Sequence, residues 1–96
     1  MIVEIVNFPI PDNMSDADIQ ERFEATAPVW KANPDLMHKS YLHDKDRKIG
    51  GGVYLWKHRE AATAAHDAAW IERITGVFGA PTFQYFDSPV QVNNLG

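Results

Sequence analysis

Apolar and polar positions change rhythm several times along this chain, and each rhythm predicts an element. Met1 to Phe8 (MIVEIVNF) is dense in β-branched residues and stops at Pro9 and Pro11, as a strand does. Ser15 followed by Asp18 then reads as a capping box, and Asp16 adds negative charge where a helix start favours it. Ile19, Phe23, Ala27 and Trp30 recur at three- and four-residue steps, one apolar face of a helix. Pro28 is expected to kink that helix or end it near Ala27, because its ring clashes with the preceding turn. Asn33-Pro34 closes the segment.

Leu36 to His43 is a second strand with less regular alternation, Asp44-Lys45-Asp46-Arg47 a polar turn, and Ile49 to Trp56 a third strand. So short a connection makes these two strands an antiparallel hairpin. Glu60 to Phe78 is a second helix rich in alanine, and Asp67 is placed to cap a fresh turn, which would divide it in two. Gly79-Ala80-Pro81 ends it; Thr82 to Phe86 is a fourth strand and Val90 to Val92 a short fifth. The order strand, helix, strand, strand, helix, strand predicts an α+β domain, a mixed antiparallel sheet with two helices on one face. In the third strand Val53 and Leu55 point one way, Tyr54 and Trp56 the other. A sheet apolar on both sides, with helices for only one, must bury the other against something, and a second copy is the simplest cover. A homodimer is the expectation.

Length and composition narrow the functional classes. A chain of 96 residues holds one domain, spanning 1–96, and buries only roughly 60–65% of its unfolded surface, so association is a common source of stability. The net charge of −4, with lysines and arginines scattered, leaves no basic stripe for phosphates, so no nucleic-acid partner is expected. No apolar run approaches the ~20 residues of a membrane span. The N-terminus lacks a positive region and carries Glu4, so no signal peptide is expected. Cysteine is absent, which removes disulfides, thiolate chemistry and zinc-finger sites and fits a reducing, cytoplasmic setting.

No GxSxG, HExxH, P-loop or GxGxxG motif is present. Gly50-Gly51-Gly52 opens a strand and is not followed by Lys-Ser/Thr, so it reads as close backbone approach or a bulge. His38 and His43 are five apart on one strand, hence on opposite faces, and His58 sits at the mouth of the second helix. His66 lies four before Trp70, on a face continued by Ile74 and Val77. It is either a hydrogen-bonded core residue or a proton donor and acceptor in a pocket between helix and sheet. No histidine pair has metal-ligand spacing on one helix face and no carboxylate completes a triad, so no metal is expected. Trp30, Tyr41, Tyr54, Trp56, Trp70, Phe78, Phe83, Tyr85 and Phe86 are either plain core or the lining of one cavity for a flat aromatic substrate. Tyr41, Tyr54 and Tyr85 would then supply hydroxyls. Asn7 is either a turn former ahead of Phe8-Pro9 or an amide facing that pocket.

From Leu36 to Asn94 the motifs are those of a known group. His38-Lys39-Ser40-Tyr41 leads through an acidic-basic turn into Gly51-Gly52-Val53-Tyr54-Leu55-Trp56; Arg59-Glu60-Ala61-Ala62, Trp70, Tyr85-Phe86-Asp87 and Val92-Asn93-Asn94 follow. This stretch, about two-thirds of the chain, resembles the YdhR-like monooxygenases of the antibiotic-biosynthesis-monooxygenase group. The resemblance implies a ferredoxin-like βαββαβ protomer whose sheet packs on that of a second copy as a dimeric α+β barrel. It also implies oxygenation of an aromatic or polycyclic compound without cofactor, the substrate anion itself passing an electron to oxygen. His66, Tyr54, Tyr41 and Asn7 are the catalytic candidates, and Trp56, Trp70, His38, Tyr85 and Trp30 the substrate-binding ones. A cyclase, isomerase or lyase using the same pocket without oxygen, or a non-enzymatic ligand-binding dimer, are the alternatives. Haem-degrading proteins of this fold resemble the chain at Asn7 and Trp56. Where they carry a second tryptophan and the haem-ligating histidine, this chain has Ala65 and Thr75.

Overall fold

Period-two alternation sorts the first strand, β1 (Ile2–Pro9), into an inner set of Glu4, Val6 and Phe8, all buried, and an outer set of Val3, Ile5 and Asn7, half-buried. The same alternation buries Tyr54 and Trp56 of β3 (Ile49–Trp56) and leaves Val53 and Leu55 on the outer side; the sequence separates the two pairs, and the structure decides which faces the helices. The structure, a computed structural model, describes residues 1–95. β1 pairs antiparallel with β3 on one side and with β4 (Thr82–Asp87) on the other, and β2 (Leu36–Asp44) pairs antiparallel with β3. The sheet order β2-β3-β1-β4 is that of a ferredoxin-like α+β domain.

Helices α1 (Asp16–Lys31), α2 (Arg59–Ala65) and α3 (Ala68–Val77) cover the inner face. Trp30, Ala61, Ala62, Trp70 and Ile74 pack there on Val6, Phe8, Tyr54 and Trp56. The capping box is formed: the Ser15 hydroxyl accepts from the Asp18 amide at 3.1 Å and the Asp18 carboxylate from the Ser15 amide at 2.9 Å. Such a cap contributes about 0.5–2 kcal/mol. The alanine-rich segment is divided as Asp67 suggested. His66 leaves helical geometry at φ −100°, ψ 57°, and the Asp67 carboxylate accepts the Trp70 amide at 2.9 Å to start α3. His66 and Trp70 are thus not one turn of a continuous helix, although their rings lie 4.3 Å apart. No helix among the described residues is long and apolar enough to cross a membrane.

Two expectations need correction. α1 does not end near Ala27 but runs through Pro28 to Lys31. The proline forfeits one amide bond on an exposed stretch, while Trp30 in the following turn is held by the rings of Tyr54 at 5.1 Å and His66 at 5.3 Å. Tertiary packing outweighs the local defect. Val90 to Val92 is not a strand. β4 has already paired Asp87 with Ile2, and Ser88 donates to the Met1 carbonyl at 2.8 Å, so β1 has no further edge to offer.

Gly51 shows why the glycines are there. It sits at φ +155°, and a Cβ on it would lie 1.8 Å from the Val6 carbonyl oxygen. The outer face carries Val3, Ile5, Val53 and Leu55 on its two central strands, with His38, Ser40, Thr82 and Gln84 on the edge strands. Leu42 and Phe86 share this face on the edge strands, so apolar residues cross it from β2 to β4.

Candidate functional site

A cavity of about 270 Å³ opens between α1, α3 and the inner face of the sheet. Its apolar walls include Phe23 and Trp30 from α1, Trp70 and Ile74 from α3, and Tyr41 and Tyr54 from the sheet. The rings brace one another. Tyr41 stacks on Phe23 at 4.6 Å, and Tyr54 meets Trp30 edge-on at 5.1 Å. The Tyr41 and Thr26 hydroxyls lie 2.6 Å apart. Burial raises the Tyr41 hydroxyl above the ordinary tyrosine range, partly offset by that hydrogen bond, and pushes the Tyr54 hydroxyl far above it. Both stay protonated at neutral pH and are hydrogen-bond donors.

Basic side chains join the hydroxyls of Thr26, Tyr41 and Tyr54 in the cavity lining. Lys39 Nζ stands 3.8, 4.2 and 4.6 Å from the ring centroids of Tyr41, Trp30 and Tyr54. Among the described residues it has no carboxylate within ion-pairing distance. Burial lowers its amine to about 7, although the charge of Glu4 pulls the other way. Arg22 from α1 and Arg73 from α3 also line the cavity, and no acidic residue does among those described.

Behind this wall lies a second polar cluster. Glu4 and His66 are both buried. Glu4 Oε1 accepts the Trp56 indole N–H at 2.9 Å and lies 2.9 Å from His66 Nδ1. The imidazole is close but poorly aligned, so both its nitrogens and Glu4 Oε2 lack a well-directed hydrogen bond. The Tyr85 hydroxyl borders the group. Its loss of water and the Glu4 carboxylate push it up to about 12, and the Arg59 guanidinium covers its ring at 4.1 Å.

The structure thus divides the residues singled out from sequence. Tyr41, Tyr54, Trp30 and Trp70 meet around the cavity. His66, Trp56 and Tyr85 belong to the layer behind it. Asn7 and His38 do not join either group: Asn7 pairs with Gly51 and Thr82 and His38 with Leu55, which puts both on the outer face by strand parity. Phe86 also points outward, 53% exposed. Among the described residues no cluster of three metal-ligating side chains occurs.

Sequence reasoning missed Glu4 and Lys39. A single charge amid apolar residues in β1 was a signal for the first. For the second, Lys39 shares a strand face with Tyr41, so placing Tyr41 in a pocket places the lysine there too.

No protein-family model matches the chain, and no curated protein does. Solved structures match over nearly the full length. The haem degrader MhuD of Mycobacterium tuberculosis, with two haems in its active site, aligns at TM-score 0.71 and 19% identity, covering 97% of this chain and 100% of that one. SnoaB, a cofactor-independent oxygenase from Streptomyces nogalater, aligns at TM-score 0.66 and 14% identity, covering 95% of each chain. ActVA-Orf6 of Streptomyces coelicolor, a monooxygenase in complex with nanaomycin D, aligns at TM-score 0.66 and 15% identity, covering 96% of this chain and 90% of that one. At these identities the likeness is one of backbone, and the chain has the ferredoxin-like α+β fold of these structures.

Proposed function

We propose that this chain is a cofactor-independent monooxygenase acting on a small aromatic or polycyclic phenol, and that it works as a cytoplasmic homodimer. The observation that carries the reading is the cavity: aromatic walls for a flat ring system, with three cations and no carboxylate among the described lining residues. Such a lining favours the anion of a phenol over the phenol itself. An electron-rich anion can give one electron to O2. Recombination of the radical pair then forms a carbon–oxygen bond, and loss of water leaves one oxygen atom in a new carbonyl. Trp30 and Trp70 would stack on the substrate, and the Tyr41 and Tyr54 hydroxyls would donate to its oxyanion. His66, enclosed by Trp30, Tyr54 and Trp70, would act as a positioning residue for those rings. SnoaB and ActVA-Orf6 support the reading as oxygenases of the same fold.

The apolar centre of the outer face supports the dimer, and a cysteine-free composition fits the cytoplasm. Haem is less well served. Thr75 stands where the resemblance would put an axial histidine, and its hydroxyl is turned back to the Ile71 carbonyl at 2.7 Å. The His66 side chain is 1% exposed and does not line the cavity. These residues do not fit an axial ligand.

The test is oxygen uptake by the purified chain with a panel of quinols and anthrones, with product analysis. Uptake accompanied by a quinone-type product, and reduced at least tenfold in Tyr54→Phe, is the expected result. Equal product without oxygen would replace the oxygenase by a cyclase, isomerase or lyase. Tight binding without turnover would leave a ligand-binding dimer.

A further inference from the structure

Among the described residues Lys39 is the one amine in the cavity wall, and its setting is unusual. Its side chain crosses Gly52: a Cβ at that glycine would lie 3.1 Å from Lys39 Cε and 3.0 Å from Tyr54 Cε1. A residue with a side chain there would press on the lysine and the Tyr54 ring, so glycine leaves room for both. Nζ ends among the faces of Tyr41, Trp30 and Tyr54. No hydrogen-bond acceptor or carboxylate of the described residues holds it, so its lone pair or its protons are free for a ligand.

We propose that Lys39 is the catalytic base that takes the phenolic proton of the bound substrate and then, as an ammonium, holds the resulting phenolate. In that step the substrate O–H bond breaks with its electron pair remaining on oxygen, and an N–H bond forms on Nζ. No oxidant takes part. The inference rests on the proposed phenol chemistry for its substrate class.

Nζ lies 4.2 Å from the centroid of the Trp30 ring and 3.8 Å from that of Tyr41, both walls of the cavity, so a ligand that enters there meets the amine. The surrounding charges make the transfer workable. Burial disfavours the ammonium and Glu4 of β1 favours it, while Arg22 of α1 and Arg73 of α3 line the same cavity. Tyr54 of β3 and Tyr41 of β2 are neutral donors. With burial lowering the amine to about 7, a sizeable share is neutral at physiological pH, as a general base requires. An exposed lysine would be almost wholly protonated there.

The experiment has two arms, each run on wild type, Lys39→Met and Lys39→Arg with melting curves as a fold check. In the first, binding of 4-nitrophenol is followed by its phenolate absorbance. Wild type should bind the phenolate at a pH where free ligand is mostly neutral, and Lys39→Met should bind the neutral phenol or nothing. An identical ionisation state of the bound ligand in wild type and folded Lys39→Met would overturn the proposal. In the second, kcat/KM for a quinol is measured against pH. It should rise through about pH 7 in wild type and lose both that inflection and at least a hundredfold in rate in each variant, Lys39→Arg included because arginine cannot give up its proton. Wild-type oxygen uptake with unchanged rate and pH profile in the variants sinks the role of Lys39 and leaves the oxygenase standing. Absent uptake with a lysine-dependent phenolate signal does the reverse.

Discussion

Glu4 Oε1 stands 2.9 Å from His66 Nδ1 inside the domain, and the same oxygen accepts the Trp56 indole N–H. A carboxylate on a central strand is thereby brought against the residue that follows α2 and tied to β3. A buried charge without such partners is costly, and removing one partner leaves the other stranded. Glu4→Ala leaves the Trp56 indole N–H buried without an acceptor and is therefore expected to lower stability by about 1–3 kcal/mol, and Glu4→Gln by less because it can still accept from Trp56. Urea unfolding measures both. A loss under about 1 kcal/mol for Glu4→Ala, the size of an ordinary surface change, would show that the cluster does not hold the layers together.

Stability should depend on pH through Lys39 and the tyrosines. The Lys39 amine titrates at about 7 when folded and at an ordinary lysine value of 10.5 when unfolded. Between those values the unfolded chain binds the extra proton, so stability rises with pH, by at most about 1.4 kcal/mol per unit. Above about pH 10 the sign reverses. Unfolded tyrosines then ionise while Tyr41, Tyr54 and Tyr85 are held protonated by burial, so the folded chain binds more protons. Urea midpoints from pH 6 to 11 should peak near pH 9–10, and Lys39→Met should flatten the rising limb only. A rising limb equally steep in that variant would assign the effect elsewhere.

Two adjacent glycines of β3 should respond differently to alanine. Gly51→Ala places a Cβ against the Val6 carbonyl oxygen at a positive φ, and neither backbone can yield without breaking the β1–β3 ladder. Strain alone accounts for about 1–3 kcal/mol, and the collision adds to it. Gly52→Ala meets the movable end of Lys39, so about 1–3 kcal/mol of overpacking is the expected cost. Its sharper effect should be on phenolate binding, because the displaced lysine leaves its place among the rings. Thermal melts and the 4-nitrophenol assay separate the two.

The outer face gives a prediction about assembly. Ile5 and Val53 are cross-strand neighbours at its centre. Val53→Asp should turn a dimer of 10.8 kDa chains into monomers in sedimentation velocity at micromolar concentration. A wild-type chain that sediments as a monomer there removes the proposed dimer at once.

Much of this was legible from residue order because local physics dictates it. Alternation in Ile2–Pro9 and Ile49–Trp56, the Ser15–Asp18 cap and the Asp67 restart depend on neighbours a few residues away, and each lies where the pattern put it. The same local reasoning left Pro28 open between a kink and an end, and failed at Val90 to Val92. There the outcome rests on contacts made far along the chain, a tryptophan clamped by Tyr54 and His66 in one case and an exhausted β1 edge in the other.

The site divides along the same line. Aromatic residues and a strand lysine are visible in the one-dimensional pattern, and so is the fact that Lys39 and Tyr41 share a face. That Glu4 meets His66 across 62 positions is not visible there, nor that Lys39 enters a cage completed by Trp30 from another element, nor that Asn7 looks away from both. A strand's own period tells which residues keep company on one face. Which face becomes the inside is settled only when helices dock and bury it, since that free energy belongs to the assembled layers and to no single segment.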